Sequence, residues 1–568
     1  MLRVASPAGI GVAAPLLCFA LGMAIVVADQ PAARADEPTV LGVVAVDGYA
    51  DLKKQLGWLG GEIGQPGLAA VAESLLMVAT QGRGLAGLDV TRPLGAVVTV
   101  ANGMPIVHGY VPVKNLDKLL ESLQGTLGPV DRDGDARRVT LQNGIPLEFT
   151  EKATASGGWA VTAIPGSPAG VDDPLPLLEQ VVGPLSLGIR LFPSVMPEPL
   201  RQQLEMILEQ AATSAGEQGQ PIDSEAVRGF VTNLQDTESL ALGLAIDPPG
   251  KEVFVEASSA QVAGSTAAGT VAAAAQGAVT VGMPQAANGA SPTLRGHVAQ
   301  SLPPALKAGI TKSVDDGLNQ NSDDPLAKSL GQAGRSLLAA MLEAGGLDAA
   351  VTVDTSPATA ESPLPHVTLG ARIKDGKGLE TKLKQLLGAA GALPATMKVA
   401  FDTGTAGGAT LHTITLDLGG TPAEEQLGEK VDLTLAVAPE YVFVLVGGDV
   451  KARATAALAA SGKPDPSAQP IAGLQAAVDG LFAYAAARSK GDEAEQAEKA
   501  TEAARKAGGG SVELTVKPIE RGIATRLSVD AAALQAGAAM AAAQQEGALG
   551  GGGAVPLPQG FPIPLPVR

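Results

Sequence analysis

Residues 93–127, PLGAVVTVANGMPIVHGYVPVKNLDKLLESLQGTL, recur in altered form 260 residues later, and this recurrence constrains the fold more than any other feature. The second copy, AAVTVDTSPATAESPLPHVTLGARIKDGKGLETKLKQLL, spans residues 349–387. Each copy holds two runs of alternating apolar residues and then a helix-forming stretch. With Lys114 aligned on Lys374, Asn115 faces Asp375, and Leu119, Leu123 and Leu127 face Leu379, Leu383 and Leu387. Asn and Asp are good N-caps because their side-chain oxygens accept from the free N–H groups of a first helical turn. Leucines four apart form one apolar stripe. The spacing predicts a capped helix laid on the strands that precede it.

Other blocks recur around this module in the same order. A strand-then-helix block begins at Thr39 and again at Thr293, each followed by an Ala/Leu helix. After the module come short strands with turns, among them a hairpin signal at Asn143-Gly144. A helical block follows: MPEPLRQQLEMILEQAA in the first half and GLQAAVDGLFAYAAARSKGDEAEQAEKATEAARKA in the second, where one helix with a wide solvated face is expected from Ala483 to Ala507. The last block is a hairpin, SLALGLAIDPPGKEVFVEAS or GSVELTVKPIERGIATRLSVDAA. Strict alternation predicts antiparallel strands with one buried and one wet face. Runs of strands followed by helices predict an α+β fold. The expectation is two similar units of antiparallel sheet with packed helices, an internal duplication. Its parts are a signal peptide (1–35), a first unit (38–265), an Ala/Gly/Ser linker (266–290), a second unit (291–538) and a Gly/Pro-rich tail (547–568).

The N-terminus reads as an export signal. Arg3 gives a short positive region, residues 16–28 are unbroken apolar, and Ala33-Arg34-Ala35 gives a small-x-small cleavage pattern. The rival reading is an uncleaved helix anchoring the chain, since weakly apolar residues before Leu16 lengthen the span. Cys18 is the single cysteine, so cleavage leaves a chain without disulfides or thiolate chemistry. A formal net charge of −18 opposes binding to phosphate backbones and anionic headgroups, which argues against nucleic acid. Aromatic residues are only 3% against 46% apolar, so the cores must be aliphatic.

No motif specifies a reaction. Gly82-Arg83-Gly84-Leu85-Ala86-Gly87 matches G-x-G-x-x-G, but it follows a helical segment and precedes a loop, the reverse of a dinucleotide fingerprint. Asp131, Asp133 and Asp135 alternate around Gly134 as in a calcium loop. The sixth and twelfth positions, Ala136 and Gln142, lack the Gly and Glu that such a loop uses. Calcium at this trio is the one cofactor carried forward. A second acidic stretch contains Asp315, Asp316, Asp323 and Asp324. His108, His297, His366 and His412 stand apart in sequence, with no HExxH. Trp58 and Trp159 read as core anchors.

The run LPLLEQVVGPLSLGIRL with MPEPLRQQLEMILEQ, and the hairpin LALGLAIDPPGKEVFVEA with VAGSTAAG after it, resemble exported proteins of unknown function from planctomycete-type bacteria. The resemblance implies export and repeated strand–helix units, and no activity. The leading expectation is therefore a non-enzymatic exported binding or scaffold protein of the cell envelope, with an envelope ligand or protein as partner and no stable membrane span once the signal is cleaved. The alternatives are a carrier of an apolar, lipid-like ligand and a hydrolase whose site is assembled from distant residues.

Overall fold

The computed structural model describes residues 39–550 apart from 102, 142–143, 184, 218–230, 232, 278, 284–291, 305–306, 314–324, 356–363, 389–395, 421–423, 464–470 and 490. The expected signal peptide, the second acidic stretch, Asn143 and residues 551–568 of the expected tail lie outside the described residues. The chain divides into two compact units. One comprises Met1–Gly60, Pro66–Ala272 and Pro518–Arg526; the other comprises Gly61–Gln65, Ala273–Lys517 and Leu527–Arg568. Among the described residues no helix is long and apolar enough to cross a membrane.

The first unit opens with β1 (Thr39–Val46), α1 (Tyr49–Glu62), α2 (Leu68–Ala79), β2 (Leu94–Ala101), β3 (Met104–Pro112) and α3 (Leu116–Leu127). Then come β4 (Val130–Asp133), β5 (Ala136–Thr140), β6 (Pro146–Thr154), β7 (Gly157–Ala163), α4 (Leu175–Val182) and β8 (Leu187–Leu191). Helix α5 (Glu198–Glu217), β9 (Thr237–Asp247), β10 (Glu252–Gln261) and α6 (Thr266–Ala274) follow. The strands pair antiparallel in the order β4-β5-β6-β7-β3-β2-β1-β8-β9-β10.

The second unit begins with β11 (Leu294–Ser301), α7 (Pro325–Glu343), β12 (Gly346–Asp354), β13 (His366–Arg372) and α8 (Gly376–Gly388). It continues with β14 (Met397–Ala406), β15 (Ala409–Asp417), the single turn α9 (Glu424–Leu427), β16 (Lys430–Val437), β17 (Tyr441–Val446) and α10 (Val450–Ala460). Last are β18 (Ala472–Ala477), α11 (Val478–Arg488), α12 (Asp492–Ala507), β19 (Ser511–Ile519), β20 (Gly522–Asp530), whose residues up to Arg526 are grouped with the first unit, and α13 (Ala531–Gly550). Its antiparallel order is β14-β15-β16-β17-β13-β12-β11-β18-β19-β20. The fold class is α+β.

The recurring module forms as its residues dictate. Asn115 stays extended (φ −162°), and its side-chain oxygen accepts from the Lys118 N–H at 2.9 Å. Asp375 does the same for the Gly378 N–H at 3.0 Å. Leu119 is buried with Leu116, Val139 and Phe149, and Leu379 and Leu383 are buried with Ala371, Val437 and Val442. The cap satisfies an orphan donor, and the stripe excludes water from the sheet beneath.

Three segments depart from expectation. GLQAA, expected in a helix, lies in strand β18 between β11 and β19. Alanine favours helix, but a central sheet slot with two hydrogen-bonding neighbours overrides local propensity. The helix expected across residues 483–507 is two, α11 and α12, separated near Gly491, whose φ is +62°. The expected linker contains α6 and a packed stretch, where Val279 and Val281 are buried and buried Asp348 accepts from the Thr280 and Val281 N–H groups. At the other end, α13 continues through Gly547 to Gly550.

Candidate functional site

The strongest candidate is a sheet face. Directly paired residues of antiparallel strands point to the same side, as do residues two apart. In the first unit one side carries Val43, Ala45, Gly95, Gly188, Gly243 and Ala245. Helix α4 closes this side with Leu178, Val181 and Val182, which pack on Val43, Ala45 and Val97. The helix comes close because the sheet is small there. A Cβ at Gly95 would stand 2.6 Å from Leu178 Cδ2, and one at Gly188 2.9 Å from Val181 Cγ1.

The other side carries the larger residues. One row runs Leu94–Val46–Leu187–Leu244–Val255, and the next runs Ala96–Val44–Ile189–Leu242–Ala257. None of the Val, Leu and Ile residues in these rows is buried, and Leu244 and Val255 are 37% and 42% exposed. One side is thus buried and one wetter, as alternation predicts, but the wetter side is the one that carries the leucines. In β9, Leu240, Leu242, Leu244 and Ile246 lie on the open side, and Gly243 and Ala245 lie on the buried side.

The second unit repeats the inversion. Ala350, Thr352, Thr368, Phe443 and Leu445 are buried on one side, where Ala454 and Ala457 of α10 join Ala350, Phe443 and Leu445 in one cluster. The opposite side shows the row Val444–Leu369–Val351–Gly296–Leu474–Leu514. Leu369, Leu474 and Leu514 are 44%, 41% and 38% exposed. Side chains from both sides lean over Gly296, where a Cβ would meet Leu474 Cδ1 at 3.0 Å and Val351 Cγ1 at 3.1 Å.

The calcium trio does not converge. Asp131 and Asp133 sit on β4 and Asp135 in the turn to β5, all exposed. Asp133 pairs with Arg138 at 2.7 Å. Strand alternation spreads the carboxylates along an edge hairpin and does not wrap them around a point.

Among the described residues the one gathering of metal-type ligands is Glu380, Asp402 and His412, with ligand atoms within 4.8 Å of one another. Glu380 and Lys384 project from α8, Asp402 from a β14 irregularity where its φ is +57°, and His412 from β15. His412 is buried, and its Nδ1 accepts from the Asp402 backbone N–H at 3.1 Å. In the neutral ring the proton then sits on Nε2, which has Glu380 Oε1 at 3.5 Å and no well-formed hydrogen bond. Burial holds the imidazole below the ordinary histidine value, against the pull of Glu380. Lys384 Nζ bridges the carboxylates, 2.8 Å from Glu380 Oε1 and 2.8 Å from Asp402 Oδ1. That ammonium holds Asp402 below the usual carboxylate range. A metal needs a free imidazole lone pair and two open carboxylates. Here one nitrogen is occupied by a backbone donor, the other carries a proton, and a lysine neutralises the acids. The group reads as an ion-pair strut that steadies the β14 bend. Sequence reasoning missed it because only Glu380 and Lys384, one helical turn apart, are neighbours in sequence.

Trp159 and His108 are packing elements, whereas Trp58, His297 and His366 are only partly buried. Trp159 is fully buried, edge-on to Tyr110, with Arg92 stacked 4.7 Å from its ring centroid. His108 is buried beside Tyr110, and its Nε2 is 2.9 Å from the Pro168 carbonyl. Burial pushes the Tyr110 hydroxyl up to about 12. Gly82, Gly84 and Gly87 all adopt positive φ in the connection after α2. No known protein family, curated protein or solved structure matches this chain.

Proposed function

We propose that this chain is an exported, non-enzymatic binding protein of the cell envelope, built from two copies of one ten-strand unit, whose open aliphatic sheet faces hold an apolar ligand. The observation that carries the reading is the inversion described above. A water-facing sheet side is ordinarily polar, and a contiguous apolar surface marks a binding site. Here rows of leucines and valines, among them Leu244, Val255, Leu369, Leu474 and Leu514, stand partly exposed on the side that α4 or α10 does not cover. The faces lack the Trp, Tyr and Arg anchors that dominate protein–protein hot spots, which favours an aliphatic ligand over a protein partner.

The duplication rests on strand order. Adding ten to each strand number of the first unit reproduces the order of the second, and the capped helix follows the corresponding strand in both. Export rests on the N-terminal signal pattern and on the resemblance to exported planctomycete-type proteins; the uncleaved form of the same segment would leave the chain anchored at the membrane.

Mass spectrometry of the protein purified from its native envelope fraction tests the ligand, and the N-terminal mass tests cleavage. A co-purifying apolar molecule is expected, together with saturable binding of a fluorescent fatty-acid analogue that Leu244→Glu and Leu369→Glu weaken. Absence of both would refute the reading.

A further inference from the structure

Helix α2 is apolar on every side and buries none of its residues. Its sequence, LAAVAESLLMVA, has one charged side chain, Glu73, which Lys53 of α1 neutralises at 2.9 Å. Val71, Leu75 and Val78 fall on one stripe of the helix, since side chains three and four apart are neighbours. They are 56%, 67% and 77% exposed, well above any leucine of the sheet faces, and Met77 beside them is exposed too. A stripe at this spacing ordinarily faces a core, and a helix apolar all round is ordinarily buried. A contiguous apolar patch left in water marks an interaction site.

The second unit shows that the fold does not demand this stripe. Helix α7 precedes β12 as α2 precedes β2. It turns Gln332 and Arg335 outward and packs Leu337 and Met341 against the cluster of Leu379 and Leu383. The size of the α2 stripe decides its occupant. A helix of 12 residues is about 18 Å long and ~10 Å wide, so one face offers roughly 180 Å². A stable protein interface needs ~800 Å² per partner, and α2 has no Trp, Tyr or Arg to anchor one. A second copy of the chain and a protein partner are therefore poor occupants. A lipid surface sets no such minimum. An apolar helix face sinks ~5–10 Å into the boundary between headgroups and acyl chains, and the gain scales with the apolar area buried. Charge decides which lipid. Helices that seek anionic headgroups carry Lys and Arg on their polar face. Helix α2 carries neither, and a chain of formal net charge −18 is repelled by anionic headgroups.

We propose that α2 docks this protein on a neutral or zwitterionic lipid surface, with Val71, Leu75 and Val78 entering the acyl boundary. The contact is peripheral, needs no spanning helix and is separate from the sheet faces. The test uses the chain from Asp36, the expected mature form, which has no cysteine of its own. Val78→Cys carrying an environment-sensitive fluorophore should shift to the blue on phosphatidylcholine vesicles, and Gln332→Cys on α7 should not. In flotation, Leu75→Glu with Val78→Glu should lower the vesicle-bound fraction on the order of tenfold. Both sites are exposed, so the doubly substituted chain should keep the unfolding midpoint of the parent. Phosphatidylglycerol vesicles should hold less of the parent chain than phosphatidylcholine vesicles do. No shift at Val78, an equal shift at Gln332, or tighter binding to phosphatidylglycerol would overturn the proposal. A blue shift at Val78 that grows with protein concentration in the absence of vesicles would also overturn it and assign the stripe to a second copy of the chain.

Discussion

Helix α3 on the β4–β5 hairpin and helix α8 on the β14–β15 hairpin occupy equivalent places in the two units and are held in the same way. Both are capped by a side-chain oxygen one residue before or near the first turn, and both bury a leucine stripe. Their polar chemistry differs entirely. In the first unit Asp117 meets Arg137 at 2.8 Å and Arg132 at 3.2 Å, and the Arg137 hydrogen bond holds its carboxyl below the usual range. In the second unit Glu380, Lys384, Asp402 and His412 form the strut, in which only the His412 ring is buried. The difference teaches that the packing stripe defines the corner and that the charges are local solutions to bracing a hairpin. Exposed ion pairs of this kind contribute little, so the two corners should depend far more on their leucines than on their charges.

The largest test of that comparison truncates the stripe. Leu119→Ala and Leu379→Ala should each cost about 2–5 kcal/mol, read by denaturant unfolding. A much smaller loss in one unit would break the equivalence. Next in size is Gly95→Val on the closed side of the first unit, where the added atoms meet Leu178 and the Val44 carbonyl. Overpacking there should cost roughly 1–3 kcal/mol, whereas Leu244→Glu on the open side should leave the melting temperature nearly unchanged. Asn115→Ala and Asp375→Ala should each lose about 1 kcal/mol through the missing cap.

Smaller still is the acid response of the second corner. The folded His412 value lies below the unfolded one, so its contribution is fully present above about pH 6.5 and is lost as pH falls toward the folded value. His366 and His108, also lowered by burial, act in the same sense. His412→Asn keeps an acceptor for the Asp402 N–H and cannot titrate there, so its stability should decline less steeply on acidification than that of the parent chain. An equally steep decline would show that His412 contributes nothing to the slope. At the small end, Asp133→Ala should change stability by no more than about 0.5 kcal/mol, and added calcium should not raise the melting temperature. A calcium-dependent rise would reinstate the trio on β4.

Local signals were legible wherever a local rule decides the outcome. Asn115, Asp375 and the leucine stripes are such cases, because capping and helical periodicity act within a few residues. The β9–β10 hairpin around Pro248-Pro249-Gly250 is another, and its Gly250 N–H finds Asp247 Oδ1 at 3.1 Å. Strand β18 was not legible, since its alanines favour helix until two strands claim their backbone groups. Nor was the His412 group, whose members come from one helix and two strands and share no sequence pattern beyond the Glu380–Lys384 spacing.

The sequence by itself determined that its strands alternate and that the helices after Asn115 and Asp375 carry caps and leucine stripes. All of these follow from interactions between residues close along the chain. Only the tertiary structure decided which side of each sheet is closed. Alternation divides residues between two faces but does not say which face receives a helix. In the first unit α4 lies on the side of Ala45, Gly95 and Gly188, where the missing side chains admit a close approach, and in the second α10 lies on the side of Ala350, Phe443 and Leu445. Leu244, Leu369, Leu474 and Leu514 are left partly exposed on the other side.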